Sequence, residues 1–229
     1  MKPLVLIPAR GGSKGIFKKN IKFLCGKPLI QYTVDVAREM FPDDIICVST
    51  DDVKIKNTVE SLGLKVPFLR PNELATDHAG TYEVMLHAID YYKKQDYVPD
   101  TIILLQPTSP LRNVKHLKEA INLFTSNIDM VVSVKETKSN PYYVLFEENK
   151  NGFLEKSKFT NITRRQDLPK VWELNGAIYI INVESLKKKS PIEFTKIKKF
   201  VMDEKHSIDI DTIMDFEFCE YLLKSRKIE

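Results

Sequence analysis

Over residues 1–135, apolar positions fall into two alternating kinds of segment. Short runs rich in valine, isoleucine and leucine occupy 3–9, 44–50, 65–69, 101–107 and 129–134 without strict polar alternation, as expected of strands buried on both faces. Between them the apolar residues recur at spacings of three and four: Leu29, Thr33, Val36 and Met40; then Val84, Met85, Ala88, Ile89 and Tyr92; then Val114, Leu117, Ile121 and Phe124. That period predicts helices with one apolar face. Strand and helix in alternation predict an α/β fold, a three-layer sandwich with a mainly parallel sheet. Its crossovers should be right-handed, with a ligand cleft at the carboxyl ends of the strands.

The pattern changes after about residue 135. Residues 139–156 read as a hairpin whose turn contains Asn151 and Gly152, and the basic, polar stretch that follows has no clear period. Residues 136–174 are therefore assigned to an insertion or arm, and 1–135 with 175–229 to the core. The core resumes with a strand at 176–182 and ends in an amphipathic helix through Ile213, Phe216, Cys219 and Leu223.

Composition narrows the class. With 229 residues, 43% of them hydrophobic, the chain can bury a sizeable core in one domain. A strand begins within three residues of the N-terminus, which leaves no room for an export signal. Cys25, Cys47 and Cys219 are widely separated and lack ligand spacing, so reduced thiols in a cytoplasmic protein are expected rather than disulfides or a zinc site. The net charge of +4, from 35 basic and 31 acidic residues, is too balanced to mark a nucleic-acid-binding protein. No stretch suggests membrane association.

Two segments carry candidate chemistry. The first strand runs into LIPARGGSKGIFKKN, residues 6–20, where Gly11, Gly12 and Gly15 accompany Arg10, Lys14, Lys18 and Lys19. Glycines let backbone N–H groups approach an anion, and the cations supply charge for a polyphosphate. The spacing matches neither a Walker A loop nor GxGxxG. A solvated basic turn is the other reading of these residues alone. Near the C-terminus, HSIDIDTIMDF places Asp209 and Asp211 two apart before a helix. In extended chain, positions i and i+2 project to one side, so both carboxylates can face one divalent cation; alternatively, Asp211 caps the helix and Asp209 is merely exposed. A phosphate loop and a carboxylate pair together make a nucleoside triphosphate site with Mg²⁺, Mn²⁺ being a substitute.

IPARGGSKGIFKKN, LRPNELATD, LLQPTSPLR, RRQDLPKVWELNGAIYI and SIDID occur in this order over nearly the whole chain. In them the protein resembles the acylneuraminate cytidylyltransferases, also called CMP-sialic acid synthetases. The neighbouring KDO cytidylyltransferases share the first strand and basic loop but continue with a Ser-x-Arg-Leu-Pro pattern, where this chain has SKGIFKKN. The resemblance implies a Rossmann-like sandwich of the nucleotide-diphospho-sugar transferase type with a small dimerisation arm. It also implies the reaction of CTP with a nine-carbon 2-keto sugar acid to give the CMP-sugar and pyrophosphate.

Site residues carry over position by position. Arg10 and Lys19 match the catalytic cations of the loop, with Ala9, Gly11, Ser13 and Asn20 at nucleotide contacts. Arg70, Thr81 and the backbone of Ala79 match positions that read cytosine, whose exocyclic amine donates while its O2 and N3 accept. Gln106, Asn175 and Tyr179 match sugar contacts, and Arg165 matches a cation for the sugar carboxylate, presented by an arm that reaches into the other subunit of a homodimer. Asp209 and Asp211 match the metal pair, with the proton acceptor open between Asp211 and a metal-bound hydroxide. Two departures lie at the sugar end: Tyr143 stands where a lysine is expected, and Ile192 with Glu193 where two phenylalanines pack on the acyl group. An acid at that end suggests an acceptor with a hydroxyl or amino group there. N-Acetylneuraminate is thus the family's default, with legionaminate or the deaminated sugar as alternatives.

Overall fold

Strand β1 (Pro3–Pro8) turns Val5 and Ile7 into one apolar cluster and Leu4 and Leu6 into another, all four fully buried. This explains the missing alternation: both sides of the strand face core. The computed structural model describes residues 1–12, 15–75 and 80–225. After β1 come the short hairpin β2 (Phe23–Leu24) and β3 (Lys27–Pro28), α1 (Leu29–Arg38), β4 (Ile46–Ser49), α2 (Val53–Ser61), α3 (Thr81–Lys93) and β5 (Thr101–Leu105). Then follow α4 (Val114–Asn122), β6 (Met130–Glu136), the hairpin β7 (Phe146–Glu148) and β8 (Leu154–Lys156), β9 (Trp172–Asn182), α5 (Val183–Lys188), β10 (Ile197–Val201) and α6 (Ile213–Lys224).

The main sheet has six strands in the order β10-β6-β9-β5-β1-β4. All neighbours pair parallel except β9, which runs antiparallel to both β5 and β6. Ile30 and Val34 of α1, Ile55 and Val59 of α2 and Leu117 of α4 cover one face. Val84, Met85, Ala88 and Ile89 of α3 and Leu186 of α5 cover the other. The expected three layers are therefore present. A third cluster contains no residue of the six-stranded sheet: Ile16, Leu24, Leu29, Leu111, Ile210, Phe216, Cys219 and Leu222.

The strand expected at 65–69 does not form. That segment makes a single parallel bridge, Leu69 to Thr50, and Pro67 at its centre has no N–H to give a ladder. Conversely, α2 was not predicted, because only Ile55 and Val59 of it are buried; Asp52 starts it by accepting from Lys54 N at 2.6 Å and Ile55 N at 3.2 Å. Strand β9 begins at Trp172, paired with Glu136, ahead of the expected start at 176. The chain between these two residues lies outside the six-stranded sheet and contains the β7–β8 hairpin, where Gly152 takes φ +82°. All three cysteines are free; Cys47 and Cys219 are buried and Cys25 half-buried. Among the described residues, no helix is long and apolar enough to cross a membrane.

The register of β6 and β9 shifts between Val132 and Val134, and at this irregularity Ser133 donates to Asn175 Oδ1 at 2.6 Å. Asn175, 2% exposed, also accepts from Ala177 N at 3.2 Å and donates to Ser207 Oγ at 2.9 Å. Its amide thereby ties β6 and β9 to the segment that leads into Asp209. Asn175→Ala strands these buried partners and should cost about 2–4 kcal/mol of stability in chemical denaturation. A loss below about 1 kcal/mol would show that the amide does not bind these segments together.

Candidate active site

The basic loop leaves β1 at the carboxyl end of the sheet. Ala9 N donates to Ser49 O at 2.9 Å, extending the β1–β4 pairing by one bond, and Asn20 Nδ2 closes the loop on Arg10 O at 3.0 Å. Gly15 is dictated by proximity: a Cβ there would lie 2.1 Å from the carbonyl oxygen of Asp211. The loop and the acidic segment therefore touch, backbone against backbone. Gly11 behaves otherwise than expected. Its N–H is committed to Asp51 Oδ1 at 3.0 Å, so it buttresses the loop instead of offering a donor to a ligand.

On the opposite side, Ile210 is fully buried in the third cluster and its N–H donates to Thr108 O at 2.8 Å. With Ile210 pointing inward, the flanking Asp209 and Asp211 both line the cavity. Their surroundings differ. Asp211 is 76% exposed and accepts from Lys19 Nζ at 3.1 Å, while Lys19, 9% exposed, donates also to Ile210 O at 2.6 Å. Asp209 is half-buried against Gly176, where a Cβ would stand 2.9 Å from its Oδ2. Burial pushes the Asp209 carboxyl above the usual carboxylate range; the charge of Asp211 adds to this, and Thr108 and Lys19 oppose it. Helix α6 is capped by Thr212, which accepts from Asp215 N at 3.3 Å, so Asp211 is not spent as a cap.

The chemistry of the pair fits a hard divalent cation. Asp209 Oδ1 is buried and has no hydrogen-bond partner, an arrangement that costs free energy unless an external donor or cation satisfies it. Among the described residues no group of three or more metal-ligating side chains exists. Two carboxylates with the remaining positions left to water and phosphate suit Mg²⁺, which keeps much of its hydration.

Between loop and acids opens a cavity of about 410 Å³. Arg10, Lys19, Asn20, Asp209 and Asp211 line it, together with Arg70, Thr81 and Gln106. Arg70, 6% exposed, donates to Ser49 Oγ at 3.0 Å, to Ser49 O and to Leu74 O at 3.4 Å. Burial lowers its pKa, an effect that Asp51 opposes. Arg112 is a buried strut: it donates to Gln106 O at 3.0 Å, to Ala177 O at 2.8 Å and to Thr33 Oγ1, fixing the turn that carries Gln106.

Among the described residues, the remaining expected site residues do not line this cavity. Ala9 is buried beneath the loop, and Ser13 and Ala79 lie outside the described residues. Asn175 is buried within the network described above and lines neither this cavity nor its neighbour. Tyr179 lines a second, apolar chamber adjoining the first. Arg165 sits in the arm, on a separate groove beside Glu136 and Lys170. The Glu193 carboxylate accepts from Ser190 N at 3.0 Å in a capping box. Sequence reasoning missed Thr108, Asp51 and Ser49, whose roles depend on residues distant along the chain; a glycine at 176 was the only local trace of the contact with Asp209.

The model of the family described as "Cytidylyltransferase" matches residues 4–228. An N-acylneuraminate cytidylyltransferase of Streptococcus agalactiae is 37% identical over 220 residues, covering 94% of this chain and 52% of that one. The chain thus spans about half the length of its streptococcal relatives. A CMP-N,N'-diacetyllegionaminic acid synthase of Legionella pneumophila is 30% identical over 225 residues, covering 98% and 97%. In fold, the chain is similar to a CMP:2-keto-3-deoxy-manno-octonic acid synthetase complexed with CTP, with TM-score 0.72, 17% identity and coverage of 99% and 100%. With a match along almost its full length, and with cationic loop and acid pair converging on one cavity, the chain belongs to the cytidylyltransferase family.

Proposed function

We propose that the protein transfers the cytidylyl group of CTP to the anomeric hydroxyl of a nine-carbon 2-keto sugar acid of the N-acylneuraminate type, releasing pyrophosphate. The observation that carries this reading is the convergence of Arg10 and Lys19 with Asp209 and Asp211 on one cavity. In-line displacement at phosphorus needs positioning and charge neutralisation more than covalent help. Arg10 and Lys19 offer charge to the triphosphate and to the departing pyrophosphate. Asp209 and Asp211 would hold Mg²⁺ or Mn²⁺, which when bound supplies Lewis-acid polarisation of the α-phosphate. Arg70 and Thr81, which line the same cavity, read the base, and Gln106, shared with the adjoining chamber, bridges towards the sugar. No histidine is among the described residues lining the cavity, so the acceptors available for the hydroxyl's proton are the two carboxylates. The arm exposes Phe153 at 69%, Leu154 at 70% and Phe159 at 81%, a surface suited to a second copy, to whose site Arg165 would contribute.

The test is pyrophosphate release with CTP, Mg²⁺ and a panel of 2-keto sugar acids; no release with any of them removes the proposal. Asp211→Ala should lower turnover by about three orders of magnitude or more with an unchanged thermal melt. Near-normal turnover would show that the acid pair is not the working site.

Asp209→Asn should separate stability from activity. Because burial raises the folded pKa of Asp209 above its ordinary value, the group's stabilising contribution is complete below the unfolded value and is lost as pH rises through the folded one. At neutral pH the charged side chain therefore opposes folding, and the neutral Asn relieves it. In a chelator the variant should melt above the parent at pH 7, with the gap narrowing in acid. Added Mg²⁺ should raise the melting temperature of the parent alone. A variant that melts lower than the parent at neutral pH would contradict the buried-charge assignment.

A further inference from the structure

The chamber beside the nucleotide cavity has a volume of about 420 Å³, and Gly80, Thr81 and Gln106 line both. The two spaces therefore adjoin, and an acceptor whose reacting hydroxyl sits at the first has the second beside it for its far end. Polarity changes along that path. Near the junction stand Thr81, Gln106 and Tyr179, the last lying close enough to Asp209 for its charge to act on the phenol. Farther out the walls are Met130, Val132, Ile181, Ile192 and Ile197.

The polar groups at the far end are already committed. Tyr82 donates its hydroxyl to Leu186 O at 3.2 Å. The Ser190 hydroxyl and the Glu193 carboxylate satisfy each other's backbone N–H groups. A hydroxylated tail placed here would give up water without regaining its hydrogen bonds, whereas methyl and acyl groups gain by leaving water.

Resting on the cytidylyl-transfer reading, we propose that this chamber selects a deoxygenated, multiply N-acylated nonulosonic acid, one with a methyl terminus and a second acylamido group where N-acetylneuraminate carries hydroxyls. Specificity resides in the side chains of β6, β9 and β10 and in Ile192, apart from the residues that hold CTP.

The test compares kcat/KM, at saturating CTP and Mg²⁺, for N,N'-diacetyllegionaminate, N-acetylneuraminate and the deaminated, fully hydroxylated sugar. The first should exceed the second by about tenfold or more, the range an apolar pocket achieves against added hydroxyls, and the third should be poorest. Equal or better use of either hydroxylated sugar overturns the inference while leaving cytidylyl transfer intact. No turnover with any of the three refutes the transfer reading and this inference with it. The double variant Ile192→Gln with Ile197→Gln changes side chains that are 91% and 46% exposed, so folding is spared. It should shrink the preference by about threefold or more with KM for CTP held within about twofold. An unchanged preference in that variant would remove the chamber as its source.

Discussion

The molecule's chemistry depends on a small apolar contact outside the main sheet. Ile16 from the basic loop and Ile210 from the acidic segment are buried in the same cluster, with Leu24, Leu29, Leu111 and Phe216 around them. Burial of such side chains contributes about 1.5–3 kcal/mol each, more than the ion pair of buried Lys19 with Asp211, whose acid is mostly exposed and solvent-screened. The hydrophobic contact therefore holds the two segments together, and the ion pair records the result. Lys19 is set against Ile210 O from 191 positions away, and Gly15 is required because the backbones then nearly touch.

That constraint also gives two neighbouring aspartates different characters. Ile210 turned inward forces both neighbours towards the cavity, yet Asp209 is backed by Gly176 and Thr108 while Asp211 faces solvent and Lys19. One carboxylate is held at a cost in an orientation with an unsatisfied oxygen; the other is cheap and adjustable. Sites that store such a cost are drawn from regions the rest of the fold over-determines, and here the Asn175 amide supplies part of that determination.

Much of this was legible in the sequence, and what was not has several physical causes. The β-α alternation, the basic loop, the acid pair and the turn at Asn151 and Gly152 are local signals, and each corresponds to structure. The false strand at 65–69 had the right composition, but Pro67 lacks an N–H and the segment bridges at one residue only. Helix α2 was invisible because just two of its residues are buried. Gly11 and Asn175 were expected at ligand contacts by position in a motif, and Glu193 was read as a departure favouring a hydroxyl or amino group on the acceptor; in the structure they bond to Asp51, to Ser133 and Ser207, and to Ser190. For Gly11 and Asn175 the deciding partner lies elsewhere in the chain, where neither spacing nor periodicity can register it. For Glu193 it is three residues away, and a capping box read locally would have found it.

The same logic explains why the polar cavity is easier to read from sequence than the apolar chamber beside it. Cations, carboxylates and tight glycines have few uses in a fold, so a cluster of them in order is informative. The apolar chamber is built from Met130, Val132 and Ile181, residues that also belong to the core covering one face of the sheet. Their pattern announces a strand whether or not a ligand ever touches them. Selection for stability and selection for an acceptor act on the same side chains there, so a change in chamber shape must be compatible with packing against α3 and α5. Such coupling ties the shape of the chamber to the packing of the sheet, whereas the basic loop and the acid pair lie outside that core cluster.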